Sequence, residues 1–460
     1  MEYLIRFSQL HETFRSAEIQ AIAVIEGVDL RVISYSDESP FCVVRLPSED
    51  AARAIMRRSV LAHAIYEHWG TADTYDELHP IIKRDTAHLW PQYVEPSFKM
   101  NIDAYQGSRS SSKKQLALIN SFSYLPFKGP IRLSCPDQEF TIFEQWEFDA
   151  VPLNLPSPLK VHFGRLIACG VRDLIHTFDL KKRDYISTTS MDSELALVTA
   201  NIALAAPGKI FYDPFVGTGS FPIACAHFGA LGLGSDIDGR SVRGDGGKKS
   251  LRGNFQQYGL EKLLGDVFVC DLTNSPVRRA RILDGIVCDP PYGVREGLKV
   301  LGCKDPESTP WVVEKGRKMY RDPAFVAPKK PYSFMAMLDD ILNFATDTLV
   351  DNGRISFWMP TANDEEQEIG VPTHPCLAIV VVCTQVFNKW SRRLITYRRL
   401  PDAEVDLSAL AQQKKMKHEA QTNGINADDL NPFRRHYFRG FKSEQDLTDD
   451  AATDKILNTT

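Results

Sequence analysis

The sequence predicts an α/β protein throughout, with a Rossmann-like, doubly wound domain in its second half and smaller α/β units ahead of it. Three observations carry this. The first 75 residues read in the order βαββαβ, and strands alternate with helices again from Tyr185 onward. The first strand of that second series then ends on a glycine-rich turn, Asp213-Pro214-Phe215-Val216-Gly217-Thr218-Gly219-Ser220.

In chain order, residues 1–75 form a ferredoxin-like unit. Glu2–Phe7 alternates as a strand, and Ala17–Glu26 places Ile19, Ile22 and Ala23 at helical spacing. Leu30–Tyr35 and Phe41–Leu46 are β-rich runs around a turn at 36–40. A second helix, capped by Ser48, precedes the apolar stretch Val60–Trp69. Residues 76–160 mix helix and strand as a second unit. Residues 161–184 read as a linker that holds a short amphipathic helix and the cluster Lys181, Lys182, Arg183. From 185 to 402, a helix at 192–206 leads to strands at 209–212 and 231–235 and near 267, 285, 354, 378 and 394. Residues 403–460 are a polar tail whose last stretch is expected to be disordered. Its aromatic and basic patch, Asn431–Phe441, either docks back, touches RNA or is plain tail.

At 460 residues, and about 100 to 200 residues per domain, several units are expected. Apolar residues at 43% and charged residues at 25% exclude a disordered or fibrous chain. The longest apolar run, Cys376–Cys383, is far shorter than the roughly 20 residues of a membrane helix, so no membrane association is expected. The N-terminal residues lack the pattern of a secretory signal, and a cytoplasmic location is expected. The nine cysteines are scattered without paired spacing, so neither a disulfide framework nor a metal site is expected. A net charge of −5 argues against a nucleic-acid partner. The charge is unevenly spread, however: Lys83 to Arg132 holds eight Lys and Arg against three acids. Within it, the run Gly107–Lys114, with Arg109, Lys113 and Lys114, is either a phosphate-contacting loop or a solvated one.

Four strand ends carry chemistry. Gly217 and Gly219 let backbone amides approach an anionic group at a helix N-terminus, so Gly217 to Ser220 suit a carboxylate. Asp236, ending the next strand 19 residues after Gly217, is placed to hydrogen-bond a ribose, and Asp271, ending the third, to accept from an adenine amine. A dinucleotide would want a third glycine where Pro222 stands, which tilts the reading towards S-adenosylmethionine, with Asp213 meeting its ammonium. Phe215 and Ile237, inside these motifs, are counted among the cofactor contacts. Asp289-Pro290-Pro291-Tyr292 follows the fourth strand. The lone pair of an amine on an aromatic base is delocalised into the ring. A carboxylate oxygen of Asp289 and the carbonyl of Pro290 can each accept one amine hydrogen and turn that lone pair towards a methyl group. The prolines fix the carbonyl, and Tyr292 offers a stacking face for a flipped base.

On the segments Asp213–Ser220, Gly234–Asp238 (GSDID), Asp289–Gly293 (DPPYG) and Tyr185–Leu204 ahead of them, the chain resembles the amino-methyltransferases that carry an N-terminal THUMP domain. Residues 163–165, 180–192, 227–240 and 289–296 narrow this to the catalytic subunits of the eukaryotic tRNA guanosine-10 N2-methyltransferases. In 1–160 the likeness is looser and rests on FKGPIRL at 127–133, which contains Lys128 and Arg132. The resemblance implies a THUMP-type RNA-binding domain at 76–160 that grips tRNA and a methyltransferase domain at 185–402. Thr189, Ser190 and Met191 would help close the S-adenosylmethionine pocket. It also implies a heterodimer with a small zinc-binding activator subunit, which would explain why no zinc pattern stands in this chain.

Overall fold

The computed structural model describes residues 1–108, 111–245, 247–293, 298–302, 327–363, 369–388 and 390–416. The chain divides into two compact units, Met1–Asp173 and Leu174–Thr460.

In the first unit the strands are β1 (Glu2–Phe7), β2 (Arg31–Ser34), β3 (Phe41–Arg45), β4 (Ala62–Ala72), β5 (Phe98–Tyr105), β6 (Gln138–Gln145) and β7 (Lys160–Cys169). The helices are α1 (Glu12–Glu26), α2 (Glu49–Met56), α3 (Tyr75–Thr86) and α4 (Ser112–Ser121). The βαββαβ expectation holds, with β1 antiparallel to both β3 and β4. The sheet does not stop there. All seven strands form one sheet in the order β2-β3-β1-β4-β7-β6-β5.

The expected linker at 161–184 is therefore corrected. Its first half is β7, antiparallel to β4 and β6. Arg165 within it is buried and pairs with Glu67 at 2.9 Å and Glu49 at 2.7 Å. Gly164 fits because a Cβ there would stand 2.8 Å from the Glu67 carbonyl oxygen. The run Gly107–Lys114 is also less loop than expected. Ser111 caps α4 by accepting the Lys114 N–H at 3.4 Å, which puts Lys113 and Lys114 on an exposed first turn.

The second unit begins with α5 (Leu174–Thr177), α6 (Ser193–Ile202), β8 (Ile210–Asp213), α7 (Ser220–His227), β9 (Leu231–Asp236), α8 (Gly239–Arg243), α9 (Leu251–Gln257) and β10 (Leu264–Val269). There follow β11 (Leu283–Cys288), β12 (Lys299–Leu301), β13 (Lys329–Pro331), α10 (Phe334–Thr348), β14 (Leu349–Ala362), β15 (Leu377–Val386), β16 (Trp390–Arg399) and α11 (Leu407–Met416). The sheet order is β10-β9-β8-β11-β14-β16-β15; the first five strands run parallel and β16 is antiparallel to both its neighbours. Tyr212, Ile286, Cys288, Ile355 and Phe357 are buried in its core, packed with Leu338 and Ile341 of α10. Connections leave β8 towards β9 on one side, while β11 lies on the other. That switch point opens a crevice at the carboxyl ends of β8 and β11, where ligands bind in such sheets.

The tail expected from 403 starts ordered: Glu404 pairs with Arg398 of β16 at 3.0 Å, and α11 follows. Residues 417–460, with the Asn431–Phe441 patch, lie outside the described residues, as does most of 294–326. Among the described residues no helix is long and apolar enough to cross a membrane.

Candidate active site

The turn after β8 needs its glycines. Gly217 and Gly219 have φ of +47° and +88°, in the left-handed region that favours glycine. A Cβ on Gly219 would stand 3.0 Å from Leu251 Cγ, whereas one on Gly217 meets nothing nearer than 4.0 Å, so that side of the turn is open to a ligand. Gly219 caps α7, whose first amides point into the same turn.

Three carboxylates converge on it from adjacent strands. Asp213, ending β8, is 1% exposed and accepts the Phe215 N–H at 2.9 Å. Burial holds its carboxyl well above the usual range, and the charges of Asp236 and Asp289 push the same way. Asp236, ending β9, accepts the Gly217 N–H at 3.0 Å and the Asp238 N–H at 2.8 Å, and burial raises it too. Asp289, directly after β11, is raised to about 6 by burial, against the opposing influence of the Tyr292 hydroxyl and Arg392. Tyr292 donates to Asp289 Oδ1 at 2.6 Å. Crowded carboxylates of this kind fit a ligand that brings positive charge, and the open amide turn fits a carboxylate. S-adenosylmethionine carries both, with an ammonium and a sulfonium for the acids.

Neighbouring groups frame this pocket. Asp271, after β10, accepts the Thr273 N–H at 3.0 Å and the Leu301 N–H at 2.6 Å, which fastens β12 at that end; each oxygen keeps a further lone pair. Ser190 Oγ lies 2.7 Å from Thr218 Oγ1, Met191 is buried, and Thr189 is exposed within 3.2 Å of Ser187 Oγ. Asn254 of α9, fully buried, donates to the Tyr185 and Thr218 carbonyls at 2.7 and 3.0 Å, tying this strap to the glycine turn. Phe215 and Ile237 are half-buried at the turn ends.

Residues 1–172 match the Tmrp11 THUMP N-terminal domain, and 181–301 match the RMKL-like methyltransferase domain. The tRNA (guanine(10)-N(2))-methyltransferase of Saccharomyces cerevisiae is 41% identical over 402 residues, covering 86% of this chain and 92% of its own. That of Schizosaccharomyces pombe is 36% identical, covering 95% and 96%, and TRMT11 of Homo sapiens is 34% identical, covering 95% of each. Similarity of that level along nearly the whole of both chains decides the matter. The chain belongs to the tRNA (guanine(10)-N(2))-methyltransferase family.

In this family member the basic residues expected to meet RNA fall into two groups. Lys113, Lys114, Lys128 and Arg132 of the first unit are exposed, and the Lys128 and Arg132 N–H groups donate to Val94 and Phe98 at 2.8 and 3.0 Å, which fixes their backbone. Lys181 and Lys182 of the second unit are exposed, Lys182 donating to the His176 carbonyl at 2.7 Å. Arg109 lies outside the described residues.

Arg183 is a correction. It is 6% exposed and donates to Ser220 Oγ at 3.0 Å, with its guanidinium 5.7 Å from the Tyr258 ring centre. It braces the glycine turn from behind instead of facing RNA, and the Ser220 hydroxyl is engaged there. Sequence reasoning also missed Asn254, Trp390 and Arg392. The signal for the last two was the run Trp390-Ser391-Arg392-Arg393, a tryptophan and two arginines at the head of β16.

Proposed function

We propose that this chain transfers a methyl group from S-adenosylmethionine to the exocyclic N2 amine of guanosine 10 in tRNA, as the catalytic subunit of a heterodimer with a small zinc-binding activator. One observation carries the chemistry: Asp289-Pro290-Pro291-Tyr292 stands at the switch point beside the open glycine turn and its acids. The relatives' names support the tRNA guanine, and the resemblance noted from the sequence supports the activator.

Asp213 would hold the ammonium of the cofactor, the amides of Gly217 to Ser220 its carboxylate, Asp236 its ribose and Asp271 its adenine. Thr189, Ser190, Met191, Phe215 and Ile237 would enclose it. When bound, S-adenosylmethionine supplies an electrophilic methyl on a positively charged sulfur. The guanine enters against Tyr292, whose hydroxyl gives way on Asp289. Asp289 and the Pro290 carbonyl accept the two amine hydrogens and aim the nitrogen lone pair. As the nitrogen gains its methyl it loses a proton, and Asp289, at about 6, is suited to take it up and return it to water near neutral pH. Lys113, Lys114, Lys128 and Arg132, with Arg109, would contact tRNA phosphates from the first unit, and Lys181 and Lys182 from the second.

The test is to co-express the chain with its candidate activator, supply unmodified tRNA and methyl-labelled cofactor, and map the product. Label in N2-methylguanosine at position 10 is expected. Label on adenine or cytosine would overturn the reading, and label on another guanine would correct its position.

A further inference from the structure

Arg392 lies on β16, opposite Pro360 of β14 and Gln385 of β15. Its guanidinium carbon sits 4.7 Å over the Trp358 ring and 5.7 Å from that of Phe387. Nε donates to Gln385 Oε1 at 2.6 Å, and Nη2 stands 3.6 Å from Asp192 Oδ2, the acid that caps α6. Two aromatic faces, an amide and a carboxylate leave such a fork little freedom. The aromatic wall continues to the target loop. Phe387 stacks on Trp390 at 4.7 Å, and Trp390 meets the Tyr292 ring edge-on at 6.2 Å.

What this clamp serves follows from the charges around Asp289. Asp213 from β8 faces it and works against a second negative charge, as does burial, and Cys288 of β11 adjoins it. Tyr292 donates to it from its own loop. Arg392 brings positive charge from β16, and acts on Asp289 and Tyr292 together. An amine-accepting carboxyl is useful only while ionised, so a fixed cation at this place has a purpose beyond pairing with Asp192.

We propose that Arg392 is a positioning residue for methyl transfer: clamped on Trp358 and Phe387 and tied to Gln385 and Asp192, it orients the Asp289–Tyr292 pair and keeps Asp289 ready to accept from the guanine amine. This rests on the methyltransferase reading above.

The experiment measures kcat for tRNA between pH 5.5 and 9 with the co-expressed complex of the wild type, Arg392→Gln and Arg392→Lys. Losing the cation makes Asp289 harder to ionise, so the acid limb of Arg392→Gln moves up by about one pH unit. Its kcat then falls roughly three-fold at pH 6.5 and about eight-fold at pH 5.5, and hardly changes at pH 8.5. Arg392→Lys keeps the limb near its wild-type place with a lower plateau, because the charge remains and the planar stack is lost. The KM for S-adenosylmethionine stays within about three-fold in both.

An even loss of kcat with an unmoved limb in Arg392→Gln overturns the proposal, as does a parallel rise in that KM. If Arg392→Gln does not fold, Arg392→Lys decides alone, and a shifted limb there is the overturning result. Nucleoside analysis of the wild-type product separates the two failures. No N2-methylguanosine means the function is wrong, whereas N2-methylguanosine with an unmoved limb means that only Arg392 is.

Discussion

Asp213 illustrates how a binding residue acts against stability. Its carboxylate is sealed from water beside Asp236 and Asp289, so ionising it in the folded protein costs free energy that the unfolded chain does not incur. The folded-state pKa lies above the unfolded one. That cost is therefore absent at pH below the usual carboxylate range and grows as pH rises above it. Asp213→Asn keeps an oxygen for the Phe215 N–H and removes the charge. It is expected to abolish S-adenosylmethionine binding by calorimetry while raising Tm at pH 8 by about 2–4 °C, the equivalent of roughly 1 kcal/mol in a domain of this size, with the gain shrinking towards pH 4. A fall in Tm at pH 8 would show that the charge is structurally needed. Asp213, Gly217, Gly219, Asp236 and Asp289 were legible in the sequence because each stands in a short local motif at a strand end. Arg183 and Arg392 were not. Which member of Lys181-Lys182-Arg183 turns inward is decided by Ser220 and Tyr258, 37 and 75 positions away.

Between elements, the cofactor pocket depends on α9 holding the strap before α6 to the turn before α7. Asn254 makes that link through two backbone carbonyls and has no route to water. Asn254→Ala leaves the buried Thr218 carbonyl and the half-buried Tyr185 carbonyl without this donor, a loss of about 1–3 kcal/mol. The expected result is a KM for S-adenosylmethionine raised about ten-fold or more, with a smaller change in the KM for tRNA; equal changes in both would place Asn254 outside the cofactor pocket. Element type was readable wherever periodicity was clean, as in the alternating strands of the second unit. It failed at β7. There a buried arginine between glycine and leucine imitates an amphipathic surface segment, and only Glu67 and Glu49 on other elements reveal it as core.

For the whole molecule, the division that matters falls near residue 173 and not at 75. The ferredoxin-like strands share a sheet with β5, β6 and β7, and Tyr3, Trp69, Phe140 and Phe163 are all fully buried within that unit. A fragment of residues 1–173 is expected to be monomeric with a cooperative melt by circular dichroism. A fragment of 1–75 is expected to aggregate, because the inner edge of β4 loses its partner. A soluble, cooperatively melting 1–75 fragment would refute this. The same arrangement bears on the birth of the protein. The strand that completes the sheet is the last of its seven to leave the ribosome, and it must enter between β4 and β6 instead of joining an end. About 90 residues, or several seconds of translation, separate the emergence of β4 from that of its neighbour. Through that interval the nascent chain carries an open, largely apolar edge, and speed of synthesis and chaperone cover govern the yield of this half before any tRNA is met.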